Sequence, residues 1–275
     1  MSASGIKSMK LYSHLERITK ELAAAGIDPD GPLTVAQLSP FDNLHYHGTE
    51  AVEQAVVALG LNGDSMVAEV GSGIGGPARY MAERSGCHVT ALELQPDLNA
   101  LAEDLTRRCG LAQRVIHLCG DVLDGPLAAG AFDAVVSWLA LYHIADRAKL
   151  FPEIAKALKP SGRIFIEDIS SRGEFTEAEL ELLRVKLYGQ CTPSLEAYGA
   201  ELARAGFTDI QMTDMSDDWA DFTRARLAAY RDQRARHERV HGPETVAAIE
   251  EFYDAVDRLF QGGNLGGIRV TARKA

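Results

Sequence analysis

Between residues 65 and 171 short apolar runs alternate with amphipathic segments. "SMVAEVG", "HVTALEL", "VIHLCGDV", "FDAVVSWLAL" and "RIFIEDI" are too short for buried helices, and most close at a glycine or an acid. They predict buried strands. Between them, "GGPARYMAERSG", "PDLNALAEDLTRRCG" and "RAKLFPEIAKALKPSG" carry helical spacing, the first ending at Gly86. Strands alternating with helices build βαβ units, hence a mostly parallel, doubly wound sheet covered on both faces.

The flanks are more helical. Residues 8–25 place Leu11, Leu15, Ile18 and Leu22 on one face, and "GIDPDGP" ends that helix. Ser39-Pro40 reads as the cap and first position of a short turn. A second helix starts near Gly48, with Thr49 as its cap, and runs to about Leu59. Later, Thr176 and Glu179 form a T-x-x-E capping box ahead of a helix, "SLEAYGAELARAG" is another, and "FTDIQMTDMS" is a strand. Residues 217–261 read as two helices, and "GIRVTARKA" as a closing strand. Arriving after a helical hairpin and "QGGNLGG", that strand is suited to lie antiparallel. Residues 1–60 form an N-terminal helical segment and 61–275 the core, with 171–200 and 217–261 as helical additions.

Composition narrows the setting. Of the 275 residues 46% are hydrophobic, and the net charge of −11 repels nucleic acid. No apolar run is long enough for a bilayer span. Cys87, Cys109, Cys119 and Cys191 lack C-x-x-C spacing, and the N-terminus lacks the apolar core of a secretory signal. Free thiols and a cytoplasmic location are therefore expected.

Chemistry concentrates in "EVGSGIGG". Gly71, Gly73 and Gly76 fit G-x-G-x-x-G at a strand-to-helix junction, where missing Cβ atoms admit a tight turn and a close ligand. Glu93 ends the next strand, 22 residues after Gly71, where a carboxylate accepts both hydroxyls of a ribose. Asp121, in "CGDV", is placed to accept from an adenine amine, with Val122 and Leu94 on either side of the ring. An adenosine cofactor follows. Nicotinamide dinucleotide and S-adenosylmethionine both contain one. Glu69, two residues before Gly71, suits the ammonium end of S-adenosylmethionine and is unwelcome beside a pyrophosphate. No Tyr-x-x-x-Lys pair of a short-chain dehydrogenase occurs.

"VAEVGSGIGG", "ALEL", "CGDV", "FDAVVSWLALYHI" and "ALKPSGRIFIEDI", in that order, resemble a class I S-adenosylmethionine-dependent methyltransferase over roughly residues 45–275. The resemblance implies a Rossmann-like seven-stranded sheet with its last strand antiparallel. It also implies that Gly71, Ser72, Gly73 and the strand with Ser137 and Trp138 border the methionine moiety. More narrowly, "HGTEAV", "SDDW" and "RVTARKA" are similar to the phosphoethanolamine and sarcosine/dimethylglycine N-methyltransferases, which act on nitrogen of small metabolites beneath an N-terminal lid. That group places an acid near Leu139, tyrosines near Ile169 and Gln190, and an arginine where this chain has Tyr188.

The stretch "FDNLHYHGTEAV" then reads as the lid. Its place in the family pattern implies that Asn43 and His45 bond the cofactor's amino-acid end and that Tyr46 faces the substrate, with Gly48 as hinge. Asp42 reads as a local backbone cap. His45 and His47 would form a metal pair only with a third ligand, for which no spacing is recognisable, so no metal is expected. His143 falls on the family's active-site histidine and is the candidate base, since imidazole titrates near neutrality. Tyr142, Arg184, Tyr188 and Tyr198 are candidate substrate contacts; Trp219 and Phe222 read as core. The expected activity is methyl transfer to a small polar metabolite at nitrogen. Alternatives are O-, S- or C-methylation of a natural product, a nicotinamide oxidoreductase, or a cofactor-binding protein without catalysis.

Overall fold

The computed structural model describes residues 15–275 apart from Pro29 and Leu44. Strands β1 (Met66–Val70), β2 (His88–Glu93), β3 (Val115–Cys119), β4 (Phe132–Trp138), β5 (Leu158–Ser171), β6 (Phe207–Asp214) and β7 (Leu265–Lys274) form one seven-stranded sheet. Its order is β3-β2-β1-β4-β5-β7-β6, and the expected doubly wound architecture is borne out. The first five strands pair in parallel, whereas β7 runs antiparallel to both β5 and β6, as the closing strand's approach predicted. Strand order reverses between β1 and β4, which opens a crevice at their carboxyl ends.

The alternation of side chains along the strands builds two cores. Ala68, Val70, Val135, Ile164 and Ile166 pack with α6 (Arg147–Ala157) and α8 (Leu195–Arg204). Their neighbours Val67, Val136 and Phe165 pack on the other face with α3 (Gly48–Leu59) and α4 (Gly76–Ser85). α5 (Pro96–Arg108) presents Leu98 and Leu105 to Ile18 and Leu22 of α1 (Glu16–Ala24), Leu38 of α2 (Val35–Asp42) and Ile74 of the glycine loop. The N-terminal segment is thereby tied to the loop it was expected to cover; Leu11 lies outside the described residues.

Three local expectations are corrected. Ser39 and Pro40 sit inside α2, which begins at a capping box of Thr34 and Gln37, and the Ser39 hydroxyl donates to the Val35 carbonyl at 2.9 Å. Thr49 does not cap α3; His47, left-handed at φ 57°, precedes it with no side-chain cap. Residues 216–261 fold as three helices, α9 (Ser216–Asp232), α10 (Arg234–His241) and α11 (Pro243–Gln261). The second break is Gly242 at φ 86° followed by Pro243, a residue that starts helices because its missing N–H is not needed there. α7 (Glu177–Val185) begins at the predicted Thr176–Glu179 box.

The insertion is bound closely to the sheet. Trp219 is fully buried, and a Cβ on Gly267 of β7 would collide with its ring; one on Gly266 would collide with the Ser216 hydroxyl. Trp219 thus proves to be core, joined by Phe222, Leu259 and Phe260. Among the described residues no helix is long and apolar enough to cross a membrane.

Candidate active site

A cleft open to solvent lies over the carboxyl ends of β1 to β4. Its floor is the glycine loop. Gly71, Gly73 and Gly75 all take left-handed φ values, of 75°, 55° and 79°. A Cβ on Gly71 would run into that of Ala140, so the tight turn and the close β4 loop both demand glycine here. The Leu92 carbonyl anchors the turn by accepting the Gly71 and Ser72 N–H groups at 2.9 and 3.0 Å.

Glu93 is held rigidly beside this loop. Its two carboxylate oxygens accept the Gly73 N–H at 2.8 Å and the Gln95 N–H at 2.9 Å. Burial raises its pKa, while those N–H groups pull the other way. Asp121 accepts the Leu123 N–H at 2.9 Å, which starts a short turn carrying Val122. Leu94, Asp121 and Val122 all line the cleft next to Glu93. Two strand-end acids and two apolar residues therefore converge as an adenosine site requires.

The opposite end is built from β1, β4 and the N-terminal segment. Glu69 is 2% exposed, and burial pushes its pKa up to about 8. Its Oε2, the Ser72 hydroxyl and the Trp138 indole N–H are buried without a hydrogen-bond partner, and all three residues line the cleft. Leaving such groups unsatisfied is costly, so together they define a place for a polar ligand. His45 also lines the cleft, its ring 5.7 Å from that of Trp138. Its Nε2 donates to the Gly48 carbonyl at 2.9 Å, and burial lowers its pKa to about 4. Asn43, expected at the cofactor's amino-acid end, is not among the cleft-lining residues; its amide donates to Ser39 O and to Asp42 Oδ1, and its Oδ1 is buried without a partner.

His143 lines the cleft from the turn after β4. Its Nδ1 lies 3.2 Å from the Tyr188 carbonyl. A carbonyl only accepts, so Nδ1 carries the hydrogen and Nε2 keeps a lone pair. Burial lowers its pKa to about 4, so it does not titrate near neutrality as expected and the ring is neutral at physiological pH.

Several candidates lie elsewhere. Tyr46 is 5% exposed and packs on Trp219, Phe222 and Phe260, with the Arg226 guanidinium 5.0 Å from its ring centroid; it joins the N-terminal segment to the insertion and does not line the cleft. Tyr198 is fully buried, its hydroxyl donating to Asp168 at 3.1 Å. Arg184 is exposed and paired with Glu181 one turn away. Tyr142 is 8% exposed, its ring against that of His143 at 3.9 Å, and Tyr188 supplies a backbone carbonyl. None of these five lines the cleft; ring packing holds Tyr46, Asp168 takes the Tyr198 hydroxyl and Glu181 takes Arg184.

Partners distant in sequence were missed. Asp42 is no local cap: it is buried against the buried Arg79 of α4 at 2.9 Å. Glu167 and Asp168 interrupt the apolar run of β5, a signal that each needs a cation; Glu167 meets Arg269 at 2.7 Å and Asp168 has Arg147 at 3.6 Å. His45 and His47 do not converge, since His47 bonds Asp218 of α9 at 2.7 Å. Glu21, His237 and His241 gather within 4.8 Å of one another. There the Arg236 guanidinium occupies Glu21 and His241 bonds it directly at 2.7 Å, so the group is an ion-paired junction between α1 and α10.

Comparison with known proteins agrees with this geometry. Residues 68–166 match the family described as a methyltransferase domain. The chain is 28% identical over 179 residues to a glycine/sarcosine/dimethylglycine N-methyltransferase of Actinopolyspora halophila, an alignment covering 65% of this chain and 32% of that one. It is 29% identical over 199 residues to methyltransferase GfsG of Streptomyces halstedii, covering 70% of each. Among solved structures, a phosphoethanolamine N-methyltransferase of Haemonchus contortus in complex with phosphomonomethylethanolamine and S-adenosylhomocysteine superposes with a TM-score of 0.79 at 21% identity, covering 85% of this chain and 54% of that one. The chain thus spans about a third of the first relative and about half of that structure.

Proposed function

We propose that this chain, which carries a methyltransferase domain, transfers a methyl group from S-adenosylmethionine to a small polar acceptor, with nitrogen the leading nucleophile. The observation that carries the reading is the set of buried, unpartnered polar atoms on Glu69, Ser72 and Trp138, across one cleft from Glu93. An ammonium satisfies the first and a carboxylate the other two, while Glu93 has lone pairs left for ribose hydroxyls. A pyrophosphate would find no lysine or arginine among the described residues that line the cleft. When bound, the cofactor supplies an electrophilic methyl on a sulfonium.

The chain's own residues have three tasks. Glu69, Ser72, Trp138 and Glu93 fix the donor's ends, and with them the direction in which the methyl faces. The 1–60 segment, through His45, Asp42 and the Tyr46 anchor, closes the methionine end from water as a lid. His143 offers the Nε2 lone pair to the proton that the acceptor loses, and its neutral ring does not repel a charged amine.

O-, S- or C-methylation is the second reading, and for either reading one observation favours an unphosphorylated acceptor. Among the described residues no lysine or arginine lines the cleft, which holds Asp42, Glu69, Glu93 and Asp121 instead. A phosphate-bearing acceptor has no counterion there. A cytoplasmic setting belongs to the same proposal, in keeping with four free thiols.

Calorimetry with S-adenosylhomocysteine and with nicotinamide dinucleotide tests the donor. Saturable binding of the first alone is expected, and preference for the dinucleotide ends the reading. Labelled methyl transfer to a panel pairing amines and hydroxyls with their phosphorylated forms tests the acceptor. Label is expected in the unphosphorylated members, with His143→Gln lowering its transfer at least tenfold. Donor binding without transfer to any member would favour a non-catalytic binder.

A further inference from the structure

Behind the cleft lies a buried polar group that the proposed chemistry does not use. Asp168, near the end of β5, is fully buried. Its Oδ1 accepts the backbone N–H of Tyr142 at 3.1 Å and of Ile169 at 3.0 Å, and its Oδ2 accepts the Tyr198 hydroxyl at 3.1 Å. Arg147 is 4% exposed and stands 3.6 Å from the same carboxylate. That guanidinium also donates to the Leu141 carbonyl at 3.5 Å and to Glu201 at 2.7 Å, and it lies over the Tyr198 ring at 4.4 Å.

These bonds converge on one feature, the Leu141–His143 turn. Asp168 takes its middle N–H and Arg147 its first carbonyl. The Tyr142 carbonyl in turn accepts N–H groups from Gln190 and Cys191, at 2.9 and 3.0 Å. This brings in the segment whose Tyr188 carbonyl receives the His143 Nδ1–H. Tyr188 itself is left-handed, with φ 52°, a strained conformation that persists where surroundings enforce it. A buried carboxylate flanked by an arginine and a tyrosine is expensive to maintain. Its bonds go to the backbone of the histidine turn, and α6, α8 and β5 each contribute one member.

The geometry points to Asp168 as a positioning residue: with Arg147 and Tyr198 it holds the Leu141–His143 turn against the 188–191 segment, so that His143 faces the cleft as the Nδ1–H tautomer with Nε2 free. This rests on the reading above in which His143 serves the acceptor. Asp168 is not among the residues that line the cleft, and its link to His143 runs through the turn.

The test uses the full chain loaded with S-adenosylhomocysteine and labelled with ¹⁵N at histidine, the His143 ring signals being assigned by their loss in His143→Gln. In the unaltered protein those signals are expected to show protonation at Nδ1 and a titration midpoint near 4. Asp168→Asn, close to isosteric, is expected to give mixed tautomers and a midpoint moved by one pH unit or more, with S-adenosylhomocysteine affinity kept within threefold. On an acceptor identified by the panel, kcat falls at least tenfold and the donor KM holds. Tyr198→Phe, which keeps the ring beneath Arg147, shifts the same signals less, and it decides the matter should Asp168→Asn not fold. Unchanged His143 tautomer and midpoint in the folded variant overturn the proposal. Failure of the unaltered protein to bind S-adenosylhomocysteine removes the donor reading instead, and the ring signals of the ligand-free chain still judge the platform.

Discussion

The two ends of the cleft are constructed differently. At the adenosine end each functional group belongs to a strand-to-helix turn, and its partners are backbone N–H groups of neighbouring turns, as with Glu93 and Gly73. At the methionine end the groups come from far apart. His45 belongs to the N-terminal segment, Glu69 to β1, and His143 to a turn held from β5 and the 188–191 segment. The first end is set by the sheet itself. The second exists only once the N-terminal segment, the core and the 188–191 segment have packed together. Sites of the first kind tolerate little change in the backbone. Those of the second are open to adjustment through distant contacts.

The largest effect expected from this contrast is at the first end. Gly71→Ala adds a Cβ at a left-handed position against Ala140, which costs about 3 kcal/mol of stability and abolishes donor binding. Thermal unfolding and calorimetry read both; near-native affinity would show that the loop has slack. Next, Glu93→Ala removes a carboxylate that orders two backbone N–H groups, and it should weaken S-adenosylhomocysteine about 100-fold. A loss below fivefold would remove Glu93 from the ribose.

At the second end, Glu69 supplies a pH signature. Its pKa of about 8 leaves it protonated at pH 7 in the free protein. A bound ammonium favours the carboxylate, so binding releases close to one proton, and affinity rises about tenfold per pH unit below that pKa before levelling above it. Calorimetry in buffers of different ionisation enthalpy counts the proton. Glu69→Gln should flatten the dependence, and a flat profile in the unaltered protein would separate Glu69 from the ligand. The smallest effect belongs to the His47–Asp218 contact, whose side chains are 28% and 53% exposed. A double-mutant cycle with His47→Ala and Asp218→Ala should give a coupling below about 1 kcal/mol. A larger value would make this contact a principal latch of the segment.

The same contrast explains what could be read from the chain. The alternation of strands and helices, the antiparallel closing strand and the convergence of Gly71, Glu93 and Asp121 follow from periodicity and local turn rules. Those rules act within a few residues. Asp42 was assigned a local cap because its partner Arg79 is 37 positions away and nothing in the spacing joins them. Tyr46 was placed toward the substrate because its site against Trp219 and Phe260 depends on how the insertion docks. Tyr198 and Arg184 are residue types common in anion sites, yet burial against Asp168 occupies one and an exposed pair with Glu181 the other. The acids of β5 were the one visible clue, since buried carboxylates in an apolar strand announce unseen cations.

Gly266 and Gly267 bear on how such a protein can be rebuilt. With no side chains at those two places, α9 lies directly on the outgoing strand, indole against backbone. The helices from residue 216 to 261 therefore cannot be exchanged as a cassette. Grafting a bulkier or slimmer roof from a relative means transplanting the final strand with it, and a library that varies one while freezing the other will mostly sample misfits.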